Sequence, residues 1–68
     1  MNKALFRSIM VLHEDTNKDL AEYLGISEQI LSKKINENGT EFKQGEIKRI
    51  KIRYNLSAGQ VDLIFFAE

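Results

Sequence analysis

The sequence predicts an all-α fold: five helices around one core, with residues 17–36 forming a helix-turn-helix. Three observations support it. Apolar residues recur at the three- and four-residue spacing of helix faces along most of the chain. Short polar residues able to accept first-turn amide hydrogens, Asn2, Thr16, Ser27 and Ser57, stand just ahead of four such runs. Gly25 and the pair Asn38-Gly39 fall where a helix must stop or a chain must turn. With 68 residues there is room for one small domain, 1–68. A chain of that length buries only about 60% of its unfolded surface.

The first helix is expected from Lys3 to Leu12 behind an Asn2 cap, with Leu5, Ile9 and Leu12 as its stripe and Phe6 and Met10 widening it. His13, Glu14 and Asp15 break the pattern. Thr16 caps the second helix, and Asp19, three residues on, serves as a short-armed capping-box acid. Leu20, Ala21 and Leu24 form the buried face of this helix, where the small Ala21 allows the next helix to cross closely. The third helix follows Ser27 and runs from Glu28 to about Asn36, with Leu31 and Ile35 as its stripe. The Gly25-Ile26 turn is too short for antiparallel neighbours, so the two helices must cross steeply.

Residues 36–43 form the one long irregular connection, anchored in the core by Phe42. A fourth helix from Gln44 to Tyr54 has an apolar edge of Ile47, Ile50 and Tyr54 and a basic outer face of Lys48, Arg49, Lys51 and Arg53, with Ile52 off that edge. The fifth, Ala58 to Phe66, is apolar on more than one side. Val61, Ile64 and Phe65 share a face while Leu63 and Phe66 point elsewhere. Contiguous exposed apolar surface calls for a partner, and a second copy is the simplest one. Leu63, Phe65 and Phe66 are therefore the expected homodimer contact.

The run Leu20-Ala21-Glu22-Tyr23-Leu24-Gly25-Ile26-Ser27 resembles the helix-turn-helix of phage Cro and repressor proteins, specifically in its Leu-Ala-x-x-Leu-Gly-Ile-Ser core. The likeness extends more loosely over most of the chain, through the Asn-x-Asn-Gly loop at Asn36 to Gly39 and the two closing helices. It implies a compact five-helix, lambda-repressor-like domain that binds double-stranded operator DNA as a dimer and regulates transcription. The chain departs from the family at two positions. Many members have an aliphatic residue where Lys34 stands, its apolar role here passing to Ile35, and many have glutamine in place of Asn17.

In such a fold the first half of the second motif helix enters the major groove, which nominates Glu28, Gln29, Ser32 and Lys33 for base contacts. Gln29 suits adenine, Lys33 suits guanine O6 and N7, and Glu28 suits cytosine N4. Ile30, near the outer side, either meets a thymine methyl group or is partly buried. Phosphate contacts are expected from Asn17 and Lys18 at the start of the second helix, where free amide hydrogens attract anions. Ser27, Lys34, Asn38, Thr40, Lys43 and Lys48 complete the expected phosphate set.

Net charge is zero, which argues against a nucleic-acid partner, but the distribution is uneven. Residues 1–32 hold 3 basic and 5 acidic side chains, residues 33–53 hold 7 and 3, and residues 54–68 hold 2 acids. The positive block begins within the third helix and can face phosphates while the remainder repels them. A plainer reading makes Lys48 to Arg53 only a wet helix face, and Lys33 and Lys34 a solvated end favoured by the helix dipole. The main rival function keeps the fold and exchanges DNA for a protein target, as an antirepressor or antitoxin-like component.

Cysteine is absent, excluding disulfides and cysteine-ligated zinc. The single His13 reads as a dipole partner at a helix end, so no metal, cofactor or small-molecule ligand is expected. No triad signature or phosphate-cradling glycine loop points to an enzyme. No apolar run approaches a membrane span and no signal peptide is evident, so a cytoplasmic protein is expected.

Overall fold

Asn2 opens the first helix by accepting a hydrogen bond from Leu5 N at 3.1 Å through its side chain. The computed structural model describes residues 1–66. Its order is α1 (Lys3–Leu12), α2 (Asn17–Leu24), α3 (Glu28–Ile35), α4 (Gln44–Arg53) and α5 (Ala58–Val61), the last widening directly into a π-helical turn over Asp62–Phe66. The fold is all-α, as predicted. Thr16 and Asp19 form a reciprocal capping box at α2, Ser27 caps α3 through Ile30 N, and Ser57 and Gln60 cap α5.

Four helices end in the same way. Each chain turns through one residue of positive φ: Glu14 at 54°, Gly25 at 74°, Glu37 at 52° and Asn55 at 52°. Two amide hydrogens there reach back to the last free carbonyls, as when Asp15 N and Glu14 N bond Met10 O and Val11 O after α1. Only one of the four positions is glycine.

The core joins Phe6, Ile9 and Met10 of α1 to Leu20, Ala21 and Leu24 of α2, Leu31 and Ile35 of α3, Phe42, Ile47, Ile50 and Tyr54, and finally Leu56, Val61 and Ile64. The stripe of α1 differs from expectation: Leu5 is only half-buried and Leu12 is 79% exposed. Phe6 sets the rotation. Its ring meets Phe42 and Phe65 at centroid distances of 5.7 and 5.8 Å, which turns Phe6 and Met10 inward and Leu12 out. At the other end, Asn2 N donates to Ile64 O at 2.7 Å and ties the start of α1 to the closing turn.

Ala21 is buried where α2 packs directly on α3, and Gly25 supplies the left-handed turn between them. The unit is a helix-turn-helix of eight-residue helices joined through residues 25–27. No helix among the described residues is long and apolar enough to cross a membrane.

Candidate functional site

The outer face of α3 follows from its buried one. At roughly 100° per residue, Gln29 and Lys33 stand opposite Leu31, Lys34 and Ile35. Gln29 and Lys33 are exposed, Glu28 is exposed at the first helical position, and Ser32 is half-buried on the same flank as Glu28. Ser32 is partly occupied by its own chain: its carbonyl accepts from Asn36 Nδ2 at 2.9 Å and its Oγ from the same group at 3.4 Å. Its hydroxyl hydrogen is still available to donate. On the opposite flank Ile30 is 45% exposed, partly covered yet open to the outer side. The first half of α3 is thus bare and polar, with one aliphatic edge.

The end of α3 is held firmly. Lys3 Nζ donates to Asn36 Oδ1 at 2.9 Å, tying α1 to the helix end, and Asn38 N donates to Lys33 O at 2.9 Å. Lys34 corrects the sequence reading, which placed it on phosphate. It is 4% exposed, and its ammonium donates inward to Glu46 Oε1 at 3.0 Å and Glu41 O at 3.3 Å. The aliphatic stem fills the place of an apolar residue while the charge finds a partner at the start of α4. Glu46 also accepts from Lys43 N at 2.8 Å, capping α4. Burial pushes its carboxyl up, but the Lys43 amide and the Lys34 ammonium outweigh that and hold it below the usual carboxylate range.

Of the remaining expected phosphate contacts, Lys18, Ser27, Asn38, Lys43 and Lys48 are exposed, while Asn17 and Thr40 are half-buried. Asn17 opens α2 beside a capping box that leaves the next amide hydrogens unpaired by side chains. Ser27 Oγ accepts from Ile30 N at 3.1 Å and keeps its hydrogen for another acceptor.

The basic face of α4 is narrower than its sequence suggests. Arg49 reaches across to the end of α2, donating to Leu24 O at 3.2 Å and to Tyr23 O, while Tyr23 Oη donates back to Arg49 O at 3.0 Å. The Arg49 and Arg53 guanidinium carbons lie 4.7 and 4.6 Å from the Tyr23 ring centroid. Arg53 also grips Asp15 through two bonds of 2.8 Å, and Tyr54 Oη donates to the same carboxylate. Arg53 thereby holds the Asp15 carboxyl below its ordinary range against the opposing effect of burial, with the Tyr54 bond adding to the shift. Burial, then the Asp15 bond, pushes the Tyr54 phenol up. The sequence reading assigned Tyr23 no role. Its signal was an aromatic residue at the end of a helix with two arginines spaced four apart elsewhere in the chain.

No family model, curated protein or solved structure matches this chain. The site therefore stands on its own geometry.

At the closing turn, Leu63 is 58% and Phe66 55% exposed, in keeping with an apolar face left without an internal partner. Phe65 differs from the expected contact set. It is half-buried, with its ring edge-on to Phe42 at 5.6 Å and against Phe6, so the core takes much of its surface. The π-helical widening carries Ile64 and Phe65 inward together. Beside Phe65 and Phe66 lies a shallow cleft of about 300 Å³, also lined by Met1, Phe42 and Ile47. Of its ammonium groups, Lys34 is paired with Glu46 and the amino terminus with Glu37, while Lys43 is exposed at its edge. No cluster of three or more potential metal-ligating residues occurs among the described residues.

Proposed function

We propose that this protein is a sequence-specific, Cro-like transcriptional regulator that occupies operator DNA as a dimer. The observation that carries the reading is the bare face of α3: Gln29 and Lys33 stand exposed one turn apart on a helix whose other side is locked into the core. A glutamine amide pairs with adenine N6 and N7, and a lysine ammonium with guanine O6 and N7, so the pair can read adjacent base edges. Two such helices related by a two-fold axis would meet successive major grooves about 34 Å apart. Occupancy of a site overlapping a promoter would then hinder polymerase. Joining two modules makes the second contact effectively intramolecular, offsetting the weak binding of one small domain.

Zero net charge does not prevent phosphate binding, because Lys18, Lys43 and Lys48 are exposed and belong to no ion pair among the described residues. With about three ammonium groups per subunit on phosphates, the log–log salt slope of a dimer would be on the order of −5. Selection of bound sequences from a random duplex pool tests the reading. Recovery of a palindromic site supports it, whereas no enrichment, with no retention on heparin or duplex at low salt, overturns it.

The same fold as a protein-binding module is the second reading, favoured by Glu28. This exposed carboxylate at the leading end of α3 suits cytosine N4 but repels a generic phosphate backbone.

A further inference from the structure

Ile30 is the one aliphatic side chain on the exposed part of α3, and it breaks the polar pattern of that face. Glu28, Gln29, Ser32 and Lys33 all carry hydrogen-bonding groups, whereas Ile30 flanks Lys33 on the other side and is 45% exposed. Its backbone amide is consumed by the Ser27 cap, which fixes its place at the third helical position.

From this we infer that Ile30 is a specificity-determining residue that reads the C5-methyl group of a thymine at one position of each half-site. The inference rests on the DNA-binding reading above and adds a base identity to it. A side chain without donors or acceptors gains nothing from the hydrogen-bonding edges of the major groove and leaves any it covers unpaired. The thymine methyl is the apolar group that groove displays, so an isoleucine seated beside two hydrogen-bonding readers selects thymine over cytosine by contact alone. Branching at Cβ holds χ1 to few rotamers in a helix, so the contact is made by a side chain already placed.

The test replaces each thymine of the selected duplex, one at a time, by deoxyuridine, which deletes the methyl and leaves every Watson–Crick group unchanged. Affinity is measured for the wild-type protein and for Ile30→Ala and Ile30→Val, each checked for unaltered thermal unfolding. One thymine per half-site is expected to show binding about fourfold weaker on loss of its methyl, the effect of removing one buried methyl group. Ile30→Val should keep most of that discrimination and Ile30→Ala should abolish it. If the duplex binds tightly but no thymine responds, or if Ile30→Ala discriminates as well as wild type, the assignment of Ile30 is overturned and DNA binding stands. If no duplex is selected at all, the functional reading falls and this inference falls with it.

Discussion

The ion pair that removes Lys34 from the surface supports an asymmetric prediction. Glu46→Gln leaves a Lys34 side chain that is 5% exposed with no counter-charge and only neutral acceptors, the glutamine amide oxygen and Glu41 O at 3.3 Å. An ammonium stranded in this way should lower stability by about 3 kcal/mol. Lys34→Met does less harm, because the Glu46 side chain is 15% exposed and keeps the Lys43 amide at 2.8 Å. The expected loss is about 1–2 kcal/mol. The double variant Lys34→Met/Glu46→Gln should return to within about 1 kcal/mol of wild type, since glutamine still accepts from Lys43 N and methionine fills the space of the lysine stem.

Urea unfolding of the four proteins at neutral pH measures these values as a double-mutant cycle. In a domain of this size a loss of about 3 kcal/mol also shifts Tm by at least ~10 °C. Additive single effects, or a Lys34→Met variant worse than Glu46→Gln, would refute the account of the pair. A salt titration separates Lys34 from the exposed phosphate lysines in function. Lys34→Met should leave the salt slope of DNA binding unchanged, while Lys43→Met should reduce it by about two for a dimer.

Other expectations concern single sites. Glu14→Gly should stabilise the domain by about 0.5–1 kcal/mol in thermal unfolding, because an exposed residue at φ 54° is relieved of its left-handed strain. Asp15→Asn should lower stability at neutral pH and flatten its acid dependence. The native Asp15 carboxyl is held low, so its contribution is full above the unfolded value of about 3.9 and disappears as pH falls through the folded one. A variant with an unchanged acid limb would exclude that source. Gln29→Ala is expected to relax preference at one base position and cost about 1–3 kcal/mol, which a repeated selection reads directly; uniform weakening on all sequences would contradict its role. Leu63→Ser with Phe66→Ser should weaken self-association in sedimentation while the core, which holds Phe65, is retained. An unchanged profile would remove the closing turn as the dimer contact.

Local chemistry made much of the fold legible. Asn2, Thr16, Ser27 and Ser57 cap their helices because a short side-chain oxygen reaches the third amide of the first turn wherever such a residue precedes a helical run. Gly25 announced its turn for the same local reason. Glu14 and Glu37 did not, since glutamate carries no preference for positive φ and is placed there by where the next helix must begin. The exposure of Gln29 and Lys33 was readable from spacing alone. The burial of Lys34 was not, because it depends on Glu46, whose position is settled only once residues 36–43 have folded back. Arg49 and Arg53 were likewise counted as surface charge when their partners, Tyr23 and Asp15, lay on other helices.

These long-range contacts share a consequence for the helix that would meet DNA. Arg49 fixes the end of α2 just before the turn, while Lys34 and Asn36 fix the end of α3 to α4 and α1. The first half of α3 is therefore held from both sides by groups that do not themselves touch the outer face. A reader fixed in this way loses little conformational freedom on binding, so more of each contact energy appears as affinity. Cations drawn inward are lost to the phosphates, and three of the seven basic residues in the positive block, Lys34, Arg49 and Arg53, are used so. On the proposed DNA-binding reading, the protein would trade non-specific attraction for a rigid reading face, an exchange that favours discrimination between sequences over raw affinity for any duplex.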